Sequence, residues 1–127
     1  MRPAGKFRAA LLAGYACLVL ILLSGVAIAA APETTEGMLK HADSIKTSDH
    51  SKFVDTLKRL GDASTELSPS QQLYLRYLKA WQLVYTGDYA LAIPELNAVI
   101  ERSDDITLRF RGGVTAVNAL VLASRYE

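Results

Sequence analysis

The chain has 127 residues, half of them apolar, with 14 Lys+Arg against 13 Asp+Glu. That length suits one small domain, and the near-neutral balance excludes a strongly basic nucleic-acid binder and an acidic tail. A single cysteine excludes a disulfide scaffold and a cysteine-rich metal site.

The apolar residues are unevenly spread, with 23 of them in the first 31 positions. Arg2, Lys6 and Arg8 form a positive start, and no charge follows from Ala9 to Ala31. Ala27-Ile28-Ala29 and Ala29-Ala30-Ala31 are small-x-small patterns of the kind a signal peptidase cuts. Residues 1–31 are therefore expected to be a signal peptide that exports residues 32–127 to the periplasm. A stretch this long also reaches across a bilayer, which needs about 20 residues, so an uncleaved inner-membrane anchor is the alternative. Membrane contact is then expected only through residues 9–31. Cys17 follows Gly14-Tyr15-Ala16 and precedes more apolar residues, which disfavours lipid attachment and reads as filling of the hydrophobic segment. All 13 acidic residues lie after residue 31, against 11 basic ones, so residues 32–127 carry a formal charge of −2 and imply no electrostatic partner.

Residues 32–127 contain no convincing strand. Residues 34–47 read as a short helix anchored by Met38, Ala42 and Ile45. A second, over 50–62, is anchored by Phe53, Val54, Leu57 and Leu60. Ser68-Pro69-Ser70-Gln71 is a helix start, because Ser68 can cap, Pro69 suits the first helical position and Gln71 completes a capping box. The run that follows places Leu73, Tyr74, Tyr77, Leu78, Trp81, Val84 and Tyr85 on one side, with Arg76, Lys79 and Gln82 opposite. Gly87 ends it. Asp88 is expected to cap the next helix, which turns Tyr89, Ala92, Ile93, Leu96, Val99 and Ile100 inward; Pro94, early in it, predicts a mild kink. Ser103-Asp104-Asp105 closes that helix and can cap a last one over 107–124, with apolar Leu108, Val114, Val117, Leu120 and Val121. Gly112-Gly113 within it costs about 1 kcal/mol per glycine and suits close approach of a neighbouring helix.

Repeats decide the expected architecture. The segment from Gly87, GDYALAIPELNAVIERSDD, resembles the second half of a tetratricopeptide repeat through Gly87, Asp88, Tyr89, Ala92, Leu96 and Val99. Gly87 permits the tight turn, Asp88 caps, Tyr89 packs across the helix pair and Ala92 allows close contact. Ala80 fits the small position of the preceding helix. Val117 and Ser124-Arg125-Tyr126 echo that layout 37 residues later, and His50, Phe53, Leu57 and Leu60 echo Tyr89, Ala92, Leu96 and Val99 at a distance of 39. The expected fold is all-α, a tetratricopeptide-like helix-pair solenoid of about five helices after the signal helix. A signal peptide, then LSPSQQLYLRYLKAWQLVYTGDYALAI, then DDITLRFRGGVTAVNALVLASRYE, resembles the periplasmic N-terminal sensor region of bacterial membrane-bound diguanylate cyclases with a GGDEF domain. The catalytic GG[DE]EF signature is absent, since Gly112-Gly113 is followed by Val-Thr-Ala. The resemblance implies a sensor end that makes no cyclic dinucleotide by itself. Ending at Tyr126-Glu127, partway through a repeat, the chain is expected to leave Val117, Leu120 and Val121 poorly covered and to be part of something longer.

The aromatic row Tyr74, Tyr77, Trp81 and Tyr85 is the candidate site. In repeats of this kind the first helix of each pair lines a concave groove, and the matching positions of the next pair carry Arg111, Val114 and Asn118. One reading is a groove that stacks a peptide or small molecule on the aromatics, with Arg111 and Asn118 giving polar contacts. The other is core packing, the usual fate of an apolar helix face. His41 and His50 have no carboxylate at ligand spacing and are expected on the surface, so no metal and no cofactor is expected. Asp104-Asp105 reads as a turn and cap rather than as paired acids. Arg109 and Arg111 beside Phe110 are too few for nucleic acid. No nucleophile elbow, phosphate loop or zinc-protease motif occurs, so no catalytic residue is assigned. The function expected is an exported interaction or sensory module that takes a protein, a peptide or a small periplasmic ligand. The alternative is a stand-alone periplasmic adaptor with no linked enzyme.

Overall fold

A computed structural model describes residues 33–126, and the expected signal peptide or anchor, residues 1–31, lies outside them. The described residues are all-helical: α1 (Thr35–Ile45), α2 (His50–Asp62), a single 3₁₀ turn (Ser64–Glu66), α3 (Pro69–Thr86), α4 (Tyr89–Arg102) and α5 (Ile106–Tyr126). The all-α class and the five helices agree with the sequence.

Local chemistry sets most of the boundaries. Thr34 caps α1 by accepting from Gly37 N, and Asp49 caps α2 by accepting from Lys52 N. Ser68 and Gln71 form the expected reciprocal box at the start of α3. Gly87 stops α3 at φ 87°, a left-handed conformation that costs other L-residues roughly 1–2 kcal/mol. Asp88 does not cap α4 as expected. Its Oδ2 accepts from the Thr86 hydroxyl at 2.7 Å, so the carboxylate is turned back toward α3 and the first amides of α4 lack a side-chain acceptor. Asp105 does cap, accepting from Thr107 N at 2.8 Å and Leu108 N at 3.2 Å. α4 continues through Pro94 to Arg102.

The connections are short, so successive helices fold back on one another: α1 on α2, α3 on α4, and α4 on α5. Alternate helices also lie side by side, with α3 between α1 and α5. One core joins them, and Leu39, Phe53, Leu60, Leu78, Leu96 and Val99 are its largest fully buried side chains. Each such burial is worth about 1.5–3 kcal/mol. Because α3 has neighbours on several sides, its buried arc is wider than one face. Leu75 and Ala80 are buried along with Tyr77 and Leu78, whereas Tyr85, expected inward, is 58% exposed. Arg76 keeps its charge among these helices through a paired contact with Glu95 on α4, at 2.5 and 3.2 Å.

α5 is apolar on two opposite faces. Leu108, Gly112, Thr115, Ala116 and Ala119 are buried. Gly112 answers the expected close approach, since a Cβ there would lie 3.3 Å from Ile100 Cγ1. Gly113 faces open space instead. Val114, Val117, Leu120 and Val121 are exposed, although Ala80, the counterpart of Val117 in the earlier helix, is fully buried. With both faces apolar, Ile106–Arg125 is also long and apolar enough, by length and composition alone, to cross a bilayer.

Candidate functional site

The side-by-side row α1, α3 and α5 carries a polar centre that joins all three helices. Asp43 of α1 accepts from Arg111 Nη2 of α5 at 2.5 and 2.8 Å, from the Tyr74 hydroxyl of α3 at 2.7 Å, and from Lys46 Nζ at 2.5 Å. The Arg111 guanidinium lies over two aromatic rings as well, 4.9 Å from the centroid of Tyr77 and 5.9 Å from that of Tyr74. Tyr77 is buried beneath it, while Tyr74 is half-buried.

Electrostatics follow from these contacts. Burial pushes the Asp43 carboxyl up, but hydrogen bonds from Arg111, Lys46 and Tyr74 outweigh it and hold the group down at about 2. For Arg111, burial disfavours the charge and the bond to Asp43 more than restores it, so the guanidinium is held more firmly protonated. Burial, and then the bond to Asp43, raise Tyr74. A carboxylate ionised this firmly and occupied by three donors is a poor proton acceptor. It braces three helices and fixes the direction of Arg111.

A second aromatic group lies further along α3. Trp81 and Tyr85 stack at 5.5 Å, and His50 of α2 stacks on Tyr85 at 4.3 Å. Phe53 meets Trp81 edge-on at 5.6 Å, and Lys46 sits 5.8 Å from the Trp81 ring. The sequence placed His50 on the surface, but its ring is instead packed against Tyr85 and Phe53. Its Nε2 lies 3.4 Å from Gln82 Nε2, and His50 Nδ1 and Gln82 Oε1 are buried without a hydrogen-bond partner among the described residues. Gln82, expected on the polar side of α3, is drawn in by this neighbour.

The structure thus brings together Tyr74, Tyr77 and Arg111, and separately Trp81 and Tyr85, with Lys46 between the two groups. Asn118 joins neither. It borders a shallow apolar depression with Phe110, Gly113, Val114 and Val117. Of the repeat-type positions, Ala80 and Ala92 are fully buried and Tyr89 is half-buried. A cleft of about 560 Å³ opens beside Tyr74 and Arg111, lined also by Lys40, Ser68 and Asp105. Among the described residues no three His, Cys, Asp or Glu side chains are grouped to hold a metal ion. Sequence reasoning missed Asp43, Lys46 and the packed state of His50. Asp43 lies 68 residues from Arg111 and 31 from Tyr74, and no local pattern encodes such a contact.

Comparison with models of known families, with curated proteins and with solved structures finds no match for this chain.

Proposed function

We propose that the chain is an exported, tetratricopeptide-like interaction module, similar to the periplasmic sensor region of membrane-bound diguanylate cyclases. It takes a peptide, a protein segment or a small periplasmic ligand along α1, α3 and α5. The observation that carries this reading is the row of Tyr74, Trp81 and Tyr85, accessible in part, with the cations of Arg111 and Lys46 set along it. Aromatic faces give contact area at low entropic cost, and a braced arginine offers the donors that Asp43 leaves over to a carbonyl or another neutral acceptor. The repeat reading draws support from burial at the expected interval. Phe53, Leu57 and Leu60 are buried in α2 as Ala92, Leu96 and Val99 are in α4.

Selection from a displayed random-peptide library tests the groove. Peptides enriched on the native chain should lose binding to Tyr85→Ala, which is exposed and leaves the helical circular dichroism unchanged. Trp81→Ala distinguishes the roles of the inner ring: loss of binding with the fold intact supports a groove, and loss of fold supports core packing. Enrichment that survives Tyr85→Ala and Arg111→Gln alike would refute the assignment. Sequencing the gene beyond codon 127 separates a linked signalling enzyme from a stand-alone adaptor.

A further inference from the structure

The balance of donors and acceptors along the aromatic row narrows what it takes, a step that rests on the groove reading above. The rings come as two stacked pairs on α3: Tyr74 with Tyr77 at 6.5 Å and 20°, and Trp81 with Tyr85 at 5.5 Å and 21°. Tyr74 and Trp81 are half-buried and Tyr85 is open, so each pair keeps some ring surface toward solvent. The charged groups beside the rings are mostly donors. Neither α3 nor α5 contains an Asp or a Glu. Asp43 of α1 already accepts from Arg111, Tyr74 and Lys46. Both bonds from Arg111 to Asp43 leave from Nη2, which keeps Nε–H and Nη1 for other acceptors. Lys46 adds an ammonium group 5.8 Å from the Trp81 ring. We propose that the ligand of this row is a proline-rich segment in the polyproline II conformation, its pyrrolidine rings on Tyr74, Trp81 and Tyr85 and its carbonyl oxygens turned to Arg111 and Lys46.

Three observations select this occupant. First, proline brings a carbonyl and no N–H, which matches a surface rich in donors and short of acceptors. An ordinary extended segment brings as many N–H groups as carbonyls, and those facing the row would lose water without gaining a partner. A helix is poorer still, because its carbonyls are committed to its own ladder and leave Arg111 and Lys46 unanswered. Second, the spacing fits. Tyr74 and Trp81 stand about 10 Å apart along α3 by helical rise, and one turn of polyproline II advances about 9 Å, so residues three apart in the ligand meet successive ring pairs. Third, an uncharged ligand leaves the ion pair of Asp43 and Arg111 closed, whereas an acidic one must compete with Asp43. Aromatic-lined grooves take such segments because the ligand is already extended and loses little freedom on binding.

Trp81 is the single tryptophan of the chain, so its fluorescence reads occupancy of the row directly. Decaproline with blocked termini, titrated into the full chain, should shift that emission saturably, and a blocked Gly-Ser peptide of equal length should not. Tyr85→Ala should weaken decaproline about tenfold or more with the helical circular dichroism unchanged, and Tyr85→Phe, which keeps the ring, should stay within about twofold of the native chain. Because the ligand carries no charge, raising sodium chloride from about 0.05 to about 0.5 M should alter affinity less than about twofold. The proposal is overturned by a decaproline titration without saturable change, by equal binding of the Gly-Ser peptide, or by full affinity in Tyr85→Ala. If decaproline fails while library-selected peptides still bind through Tyr85, the ligand class falls and the groove stands. If those peptides fail as well, the groove reading falls with it.

Discussion

Replacing Asp43 with asparagine removes the charge that joins α1, α3 and α5 while keeping the shape of the side chain. The carboxyl is lowered from an ordinary 3.8 to about 2, which at full value is roughly 2 kcal/mol, and solvent screening around a partly exposed group reduces it to about 1–2 kcal/mol. The sign follows from the direction of the shift. A carboxyl whose folded value is depressed stabilises the fold above its unfolded value, and that contribution is lost as pH falls from about 4 to about 2. Asp43→Asn also leaves the Arg111 guanidinium without its counter-charge over Tyr77. Residues 33–127 form a compact unit, so urea unfolding of that segment followed by Trp81 fluorescence reads the effect. At pH 7 the variant should be about 1–2 kcal/mol less stable, lowering Tm by about 5–15 °C. Near pH 2 the two proteins should converge. Equal stability at pH 7, or a difference that persists unchanged to pH 2, would refute the brace.

Other substitutions test other links. Gly113→Ala should stabilise by about 1 kcal/mol, because it raises helix propensity where a Cβ meets nothing within 4 Å; thermal unfolding checks it. Gly112→Ala should forfeit that gain, since its Cβ would sit 3.3 Å from Ile100 Cγ1 and force a shift in the α4–α5 contact. Gly87→Ala should cost about 1–2 kcal/mol in the same assay through its φ of 87°. Ser68→Ala should cost about 1 kcal/mol by opening the capping box, and hydrogen exchange should rise first at the amides of Gln71 and Gln72.

The fold was legible wherever one local rule set one outcome. Ser68-Pro69-Ser70-Gln71 starts α3 and Gly87 stops it, because each satisfies or releases backbone groups within a single turn. Asp88 shows where such rules lose. As a cap residue by type it had two partners in reach, and the Thr86 hydroxyl took it. Periodicity also misled on α3. A helix with neighbours on several sides buries more than one face, so Leu75 went inward while Tyr85, on the nominally apolar side, stayed open. On α5 two apolar faces blunt the period, and the sequence could not say which one the bundle would take. Small residues decided it: Gly112, Ala116 and Ala119 let α4 come close, and the bulkier valines were left outside.

The site was legible in its rings and not in its charges. Four aromatics at helical spacing identify a row, and the 37-residue interval pairs that row with Arg111. Nothing in the spacing identifies Asp43, which meets Arg111 only because α1 and α5 both flank α3. Its place changes the meaning of the arginine. An unpaired Arg111 would be a free donor in a groove, but here Asp43 already takes two of its hydrogen bonds. Any acidic group that enters must share Arg111 with Asp43 at the cost of carboxylate repulsion, or use the donors left over and the ring faces beside them. The arrangement therefore favours a neutral or aromatic group over a second carboxylate at that position. Peptides selected on the native chain should be no richer in Asp and Glu than those selected on Arg111→Gln. Strong acidic enrichment that depends on Arg111 would show that the ion pair opens on binding, and that the three helices it joins move with it.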